Sequence, residues 1–340
     1  MSHSFMPKLR RWELHQMDVH NTFLHGELDE EAPRCLFAKL ATALNTYGFQ
    51  QSYSDYSLFT FKDRHVQLHV LVYVDDLIIS GNDGVAMQRF KDYLSQCFHM
   101  KDLGKLKYFL GIAVARNSEG IFLCQRKYAL NIISETGLLG AKPVGTPLEQ
   151  NHKLALAMTA DWDNLGQYRR LIGRLIYLTL TMPELSYCVH ILAQFMQQPK
   201  EEHWEAALRG NPGQSILLRA DCHLKLYAYC DSDWASSSPI SWKTKKQQIE
   251  SRSSAEAEYR SMTTITCELK WLKGLLSTLG VMHSGLVLLH CDSQAALHIA
   301  ASPVFHERTK HIEVDCHFVR DAIQNAFGIL MLHLEGGIED

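Results

Sequence analysis

Hydrophobic and polar positions along the chain change period several times, and each change marks an element. From Leu68 to Gly81 the run Leu-His-Val-Leu-Val-Tyr-Val-Asp-Asp-Leu-Ile-Ile-Ser-Gly is apolar and β-branched on both sides of one acidic pair, Asp75-Asp76. Val, Tyr and Ile at that density favour strands, and the run is too short and interrupted to span a bilayer. It predicts a hairpin with two carboxylates at its tip. Asp55 to Lys62 predicts a strand leading into that hairpin, and residues 36–47 a helix. Gly84 to Cys97 repeats Met87, Phe90, Leu94 and Cys97 at helical spacing. Residues 12–26 predict a short strand entering a turn, with Asp18 at its end, and Lys105 to Arg116 predicts a single strand.

Further on, Gly120 to Tyr128 predicts a strand passing into a helix that stops at Gly137. Residues 140–165 have the composition of a linker. Tyr168 to Thr181 and Glu184 to Gln197 are two helical segments parted by Met182-Pro183. From Leu224 a strand ends in Asp231 and Asp233, and Ser253 opens a long helix with a capping-box spacing to Glu256. The apolar stripe of that helix, Tyr259, Met262, Leu269, Leu272 and Leu276, ends at Gly280. A strand from Leu286 to Cys291 then meets Asp292, which opens another helix.

Burying an unpaired carboxylate costs several kcal/mol, so the adjacent acids of the hairpin call for an account. A divalent cation supplies one, because it turns like-charge repulsion into shared ligation. Solvated turn residues are the plainer alternative. Tyr73-Val74-Asp75-Asp76 resembles the catalytic signature of reverse transcriptases. The chain from about Trp12 to about Gln324 resembles the reverse transcriptase and ribonuclease H region of copia-type retrotransposon polyproteins.

The resemblance implies an α+β fold in three parts. Residues 1–116 would be a partial polymerase palm, an antiparallel sheet with helices on one face, and residues 117–209 a helical thumb and connection. Residues 210–340 would be an incomplete ribonuclease H-like α/β domain. Asp18 would join Asp75 and Asp76 in holding two Mg²⁺ ions, with Mn²⁺ as a substitute, for nucleotidyl transfer. Phe23 would pack under the sugar of the incoming nucleotide and exclude a 2′-hydroxyl; an ordinary core Phe is the alternative. The segment from Gly120 to Tyr128 would grip the primer end.

Asp231, Glu258 and Asp292 would hold Mg²⁺ for hydrolysis of the RNA strand, with Asp233 the rival of Asp231. Two metal ions a few ångströms apart need several bridging carboxylates, which suits this set. Glu256 reads instead as a favourable charge at a helix start. The implied partners are an RNA template, a DNA primer, an RNA–DNA hybrid, deoxynucleoside triphosphates and other parts of a polyprotein. No membrane is implied, and the setting is intracellular: cytoplasm, virus-like particle or nucleus.

Composition narrows this only a little. The chain is 46% hydrophobic and 21% charged with a formal charge of −3, which does not announce a nucleic-acid binder. Local basic groups do occur, at Arg169, Arg170 and Arg174 and at Lys243, Lys245, Lys246 and Arg252, and each could also be a solvated face. The nine cysteines form no C-x-x-C pair, which argues against a disulfide framework and a zinc ribbon. His306, His311, Cys316 and His317 match no zinc-finger spacing, and the N-terminus has no apolar core for a signal peptide.

Measured against the family, segments are missing. The acidic run ending at Glu31 meets Ala32-Pro33-Arg34 directly, where a nucleotide-contacting stretch is expected. Shorter gaps fall at Arg209-Gly210 and between Ala235 and Pro239, the fingers region before Trp12 is absent, and the fourth catalytic Asp is not visible after Gln324. Template and nucleotide positioning supplies much of a polymerase's rate, so these losses weigh against turnover. Two readings stand: an RNA-directed DNA polymerase with ribonuclease H, or a non-catalytic relic with at most weak nucleic-acid binding.

Overall fold

The structure is a computed structural model. It describes residues 12–19, 32–138, 153–208, 216–219, 226–230, 253–281, 283, 285–301, 313–324 and 328–333. Contacts divide the chain into two units, Met1–Phe109 with Leu269–Ser284, and Leu110–Glu268 with Gly285–Asp340.

The first unit contains β1 (Glu13–Val19), α1 (Ala32–Tyr47), β2 (Gln50–Gln51), β3 (Leu58–Asp63), β4 (Val66–Tyr73), β5 (Asp76–Gly81), α2 (Gly84–Cys97), β6 (Met100–Lys105) and β7 (Tyr108–Phe109). Six of these strands form one sheet in the order β2-β3-β4-β5-β1-β6, antiparallel throughout. Strand alternation sends Met17, Val70, Val72, Leu77 and Ile79 to one face, where they pack with Leu40 and Leu44 of α1 and Met87, Phe90 and Leu94 of α2. Burying each such side chain contributes about 1.5–3 kcal/mol. Helix α2 starts where expected because Asp83 caps it, its carboxylate accepting from the Ala86 N–H at 2.9 Å. The same alternation puts Gln16, Asp18, Tyr73 and Asp76 on the face away from the helices. The expected α+β class holds.

One expected element does not form as a unit. The stretch from Lys105 to Arg116 is broken into the end of β6, the two residues of β7, and β8 (Ile112–Arg116). Leu110 and Gly111 have φ of 48° and 81°, so the chain turns in the middle of what reads as a continuous apolar run.

The second unit continues from β8 with β9 (Gly120–Cys124), α3 (Arg126–Glu135), α4 (Leu165–Leu178), α5 (Ser186–Ala193), α6 (Glu201–Ala207), β10 (Ile216–Arg219) and β11 (Tyr227–Cys230). Then follow α7 (Ser254–Thr278, shared with the first unit after Glu268), β12 (Val287–Cys291), α8 (Gln294–Ala301), α9 (Glu313–Gln324) and β13 (Ile329–His333). Pro183 opens a 3-10 turn ahead of α5, as the Met182-Pro183 break implied. Helices α3 to α6 bury Tyr168 and Ile172 completely, and the Tyr168 hydroxyl donates to the Leu192 carbonyl at 2.8 Å.

Strands β11, β12 and β13 form a parallel sheet in that order. Strand β13 is not expected from the sequence, because Ile-Leu-Met-Leu is apolar at four successive positions and shows no two-residue period. Among the described residues, no helix is long and apolar enough to cross a membrane.

Candidate active site

Strand β4 ends at Tyr73 and β5 begins at Asp76, leaving Val74 and Asp75 as a two-residue turn. Val74 has φ of 56° while Asp75 does not share that conformation, the pattern of a type II′ turn whose first position normally takes Gly. A β-branched residue held there costs roughly 1–2 kcal/mol. Tyr73 beside it is half exposed, its ring edge-on to Phe109 with centroids 6.2 Å apart.

Strand β1 brings the third acid to this tip. Asp18 lies directly opposite Asp76 in the β1–β5 register. The Val19 N–H donates to the Asp75 carbonyl at 2.8 Å. Val19 and Asp75 therefore occupy a hydrogen-bonded position, and Asp18 and Asp76 the adjacent non-hydrogen-bonded one, where facing side chains come closest. All three acids are half-buried. Like charges placed this way repel, so their surroundings matter. Gln16, two residues before Asp18 on the same face, donates from Nε2 to Asp76 Oδ1 at 2.8 Å and fixes that carboxylate. Lys101 stands opposite Asp18 on the other flank, in the β1–β6 register, and places a cation beside the acids that their neighbours in sequence did not supply.

The frame under this corner is itself charged. Lys91 of α2 is buried, its Nζ 2.9 Å from Asp102 Oδ2 and 2.7 Å from His15 Nδ1. Burial alone would raise the Asp102 carboxyl, but the Lys91 ammonium and the Gly104 N–H outweigh it and hold the group below its usual range. At the other end of the face, Trp12 stacks on His69 with centroids 5.3 Å apart. Neither ring nitrogen of His69 has a hydrogen-bond partner among the described residues, and burial lowers its pKa to about 4.

A second group of acids lies in the other unit. Strands β11 and β12 run parallel with Cys230 opposite Cys291, and each cysteine immediately precedes an aspartate, Asp231 and Asp292. Glu258, near the start of α7, is buried and points at these strand ends, with Cys230 Sγ 3.6 Å from its Oε2. The neighbouring Cys291 thiol and burial push Cys230 well above the usual thiol range, so it is a protonated donor to that carboxylate. Asp292 is exposed just beyond Cys291, and its carbonyl accepts from His333 at 3.2 Å. Carboxyl ends of parallel strands are where α/β sheets place their sites. Glu256 lies in the first turn of α7, where a helix-start charge was expected, and it also pairs with Arg260 at 2.7 Å.

Phe23, Asp231 and Asp233 lie outside the described residues, as do Lys243, Lys245, Lys246, Arg252, His306 and His311. Of the arginines expected to meet a nucleic-acid backbone, Arg174 pairs with Glu135 and covers the Tyr128 ring, and Arg169 donates to the Met196 carbonyl. Arg170 is exposed. Gln16, Lys101, Cys230 and Cys291 were not singled out in the sequence. The repeated Cys-Asp dipeptide was a visible signal for the last two, whereas Gln16 and Lys101 depend on strand pairing that local pattern does not encode.

Residues 30–150 match the family described as reverse transcriptase (RNA-dependent DNA polymerase). The chain is 38% identical to the retrovirus-related Pol polyprotein from transposon RE2 of Arabidopsis thaliana, over 93% of this chain and 25% of the relative. It is 30% identical to the corresponding polyprotein from transposon TNT 1-94 of Nicotiana tabacum, over 92% of this chain and 28% of the relative. An uncharacterized mitochondrial protein of Arabidopsis thaliana is 34% identical over 60% of this chain and 94% of its own length. The chain thus spans about a quarter of the Pol polyproteins it matches. The alignment with the RE2 polyprotein covers 368 residues, more than the 340 of this chain, so the relative carries segments without counterpart here.

Proposed function

Because the chain belongs to the copia-type retrotransposon Pol polyproteins, in their reverse transcriptase region, we propose that it is an RNA-directed DNA polymerase and ribonuclease H segment with two separate carboxylate sites. On this reading residues 1–116 are the palm, residues 117–209 the thumb and connection, and residues 210–340 the ribonuclease H-like domain. The observation that carries the polymerase half is the opposition of Asp18 and Asp76 beside the Asp75 turn.

The donor set fits hard divalent cations. Asp18, Asp75 and Asp76 offer only carboxylate oxygens, which suit Mg²⁺ or Mn²⁺ and not thiophilic metals. Asp18 stands opposite Asp76 on one flank and Lys101 on the other, so the acids and one lysine share this corner of the sheet. When bound, two such cations supply Lewis acidity and charge neutralisation for in-line displacement at phosphorus. Gln16 donates to Asp76 Oδ1, and the turn that begins at Val74 carries Asp75 next to it in the chain. Phe23 screens the nucleotide sugar, and the template–primer lies along the helix-free face. In the second unit Glu258 and Asp292, with Asp231, serve cleavage of the RNA strand of a hybrid.

Primer extension on an RNA template in Mg²⁺ tests the first site, and cleavage of the RNA strand in an RNA–DNA hybrid tests the second. Asp75→Asn abolishes extension and spares cleavage, while Glu258→Gln does the reverse. The second reading, a non-catalytic relic, is favoured by the segments that the RE2 polyprotein has and this chain lacks. Absence of both activities from the unmutated chain selects it.

A further inference from the structure

The geometry points to a buried site for a thiophilic divalent cation, zinc or cadmium in class, built by Cys230, Glu258 and Cys291. It shares Glu258 with the second carboxylate site but adds two thiols to it, and its metal content is read independently of nucleic-acid turnover. The two thiols come from directly opposed positions at the ends of β11 and β12, and the carboxylate reaches them from α7. One ligand atom of each residue lies within 4.8 Å of the other two, the group of this kind among the described residues. A tetrahedral ion with thiolate arms of ~2.3 Å and a carboxylate arm of ~2.0 Å needs sulfur and oxygen about 3.5 Å apart. Cys230 Sγ and Glu258 Oε2 already stand at 3.6 Å.

Burial strengthens the case. Cys230, Glu258 and Cys291 are 2%, 6% and 0% exposed, so the three donor groups form a set shielded from bulk water. Two sulfurs and one oxygen select zinc or cadmium over magnesium, calcium or manganese. Binding releases the two thiol protons to solvent and leaves a site of net charge −1, with the fourth position open to water. The metal-free alternative is a thiol hydrogen bond to the carboxylate, which the same distance permits.

The test uses the full chain, purified under reducing conditions, equilibrated with zinc and freed of excess. Metal analysis is expected to give one zinc per chain, and X-ray absorption at the zinc edge two sulfur neighbours at ~2.3 Å with lighter neighbours at ~2.0 Å. The double variant Cys230→Ser/Cys291→Ser loses this zinc, Glu258→Gln weakens it at least tenfold, and replacing the exposed Cys35 and Cys97 leaves it in place. The proposal is overturned if no equimolar zinc is retained, if the double variant retains it, or if the neighbours are nitrogen only, as the eighteen histidines could provide. The absorption measurement needs no variant, so a misfolded substitution cannot obscure the answer.

Discussion

Gln16 Nε2 donates to Asp76 Oδ1 at 2.8 Å, joining residues of β1 and β5 on the face away from the helices. The bond gives one of two residues opposed in register, Asp76, a neutral donor for its carboxylate. Gln16→Met keeps the length of the side chain and removes the donor. In steady-state primer extension this variant should lose roughly tenfold in kcat, about 1.4 kcal/mol, with the nucleotide KM within about twofold of the parent. A drop in KM-limited binding alone would assign Gln16 a different role.

His69 makes stability depend on pH. Its imidazole is neutral in the folded chain because burial lowers its pKa to about 4, whereas the unfolded chain protonates near the ordinary value of 6.5. The folded pKa is the lower one, so this contribution is complete above about pH 6.5 and is lost as pH falls toward 4, up to about 3 kcal/mol. His69→Phe keeps the ring against Trp12 and should remove that part of the acid destabilisation in denaturant melts at a series of pH values.

The turn that carries Asp75 is strained at Val74. Val74→Gly relieves a φ of 56° while adding freedom to the unfolded chain, for a net gain of about 0.5–1 kcal/mol. Thermal unfolding should register a rise in Tm of roughly 1 °C. An unchanged or lower Tm would show that the neighbouring strands relieve the strain already.

Lys91 and Asp102 are unequally buried, with side-chain exposures of 4% and 43%. Removing each partner therefore has a different cost. Asp102→Ala leaves the buried ammonium without its counter-charge, with only the His15 ring nitrogen beside it, and should destabilise by about 3 kcal/mol, while Lys91→Met leaves a carboxylate that water can reach and should cost under about 1 kcal/mol. The pair's own contribution is present above the ordinary carboxylate range and fades as pH falls through the lowered Asp102 value. Equal losses in urea melts would contradict this asymmetry.

Local pattern is enough for the hairpin, for α2 from its apolar spacing and for the acids themselves, because each is encoded within a few neighbouring residues. The Asp83 cap of α2 emerges only in the structure. Local pattern fails where the chain pairs at a distance. Lys101 meets Asp18 only through the β1–β6 register, and β13 joins β12 as a parallel strand with no alternation to betray it. The Leu110-Gly111 turn was hidden because a leucine with positive φ leaves no mark in composition. Cys230 and Cys291 were read as ordinary scattered thiols, and only the β11–β12 register brings them together.

Diffraction at the manganese edge from Mn²⁺-soaked crystals of the chain bears most directly on whether the Asp18, Asp75 and Asp76 carboxylates gather cations. An anomalous peak lying between Asp18 and Asp76, and absent from the Asp18→Asn/Asp76→Asn variant, is the predicted result. No peak there at saturating Mn²⁺ would contradict the account and leave the opposed acids as ancestry without a metal.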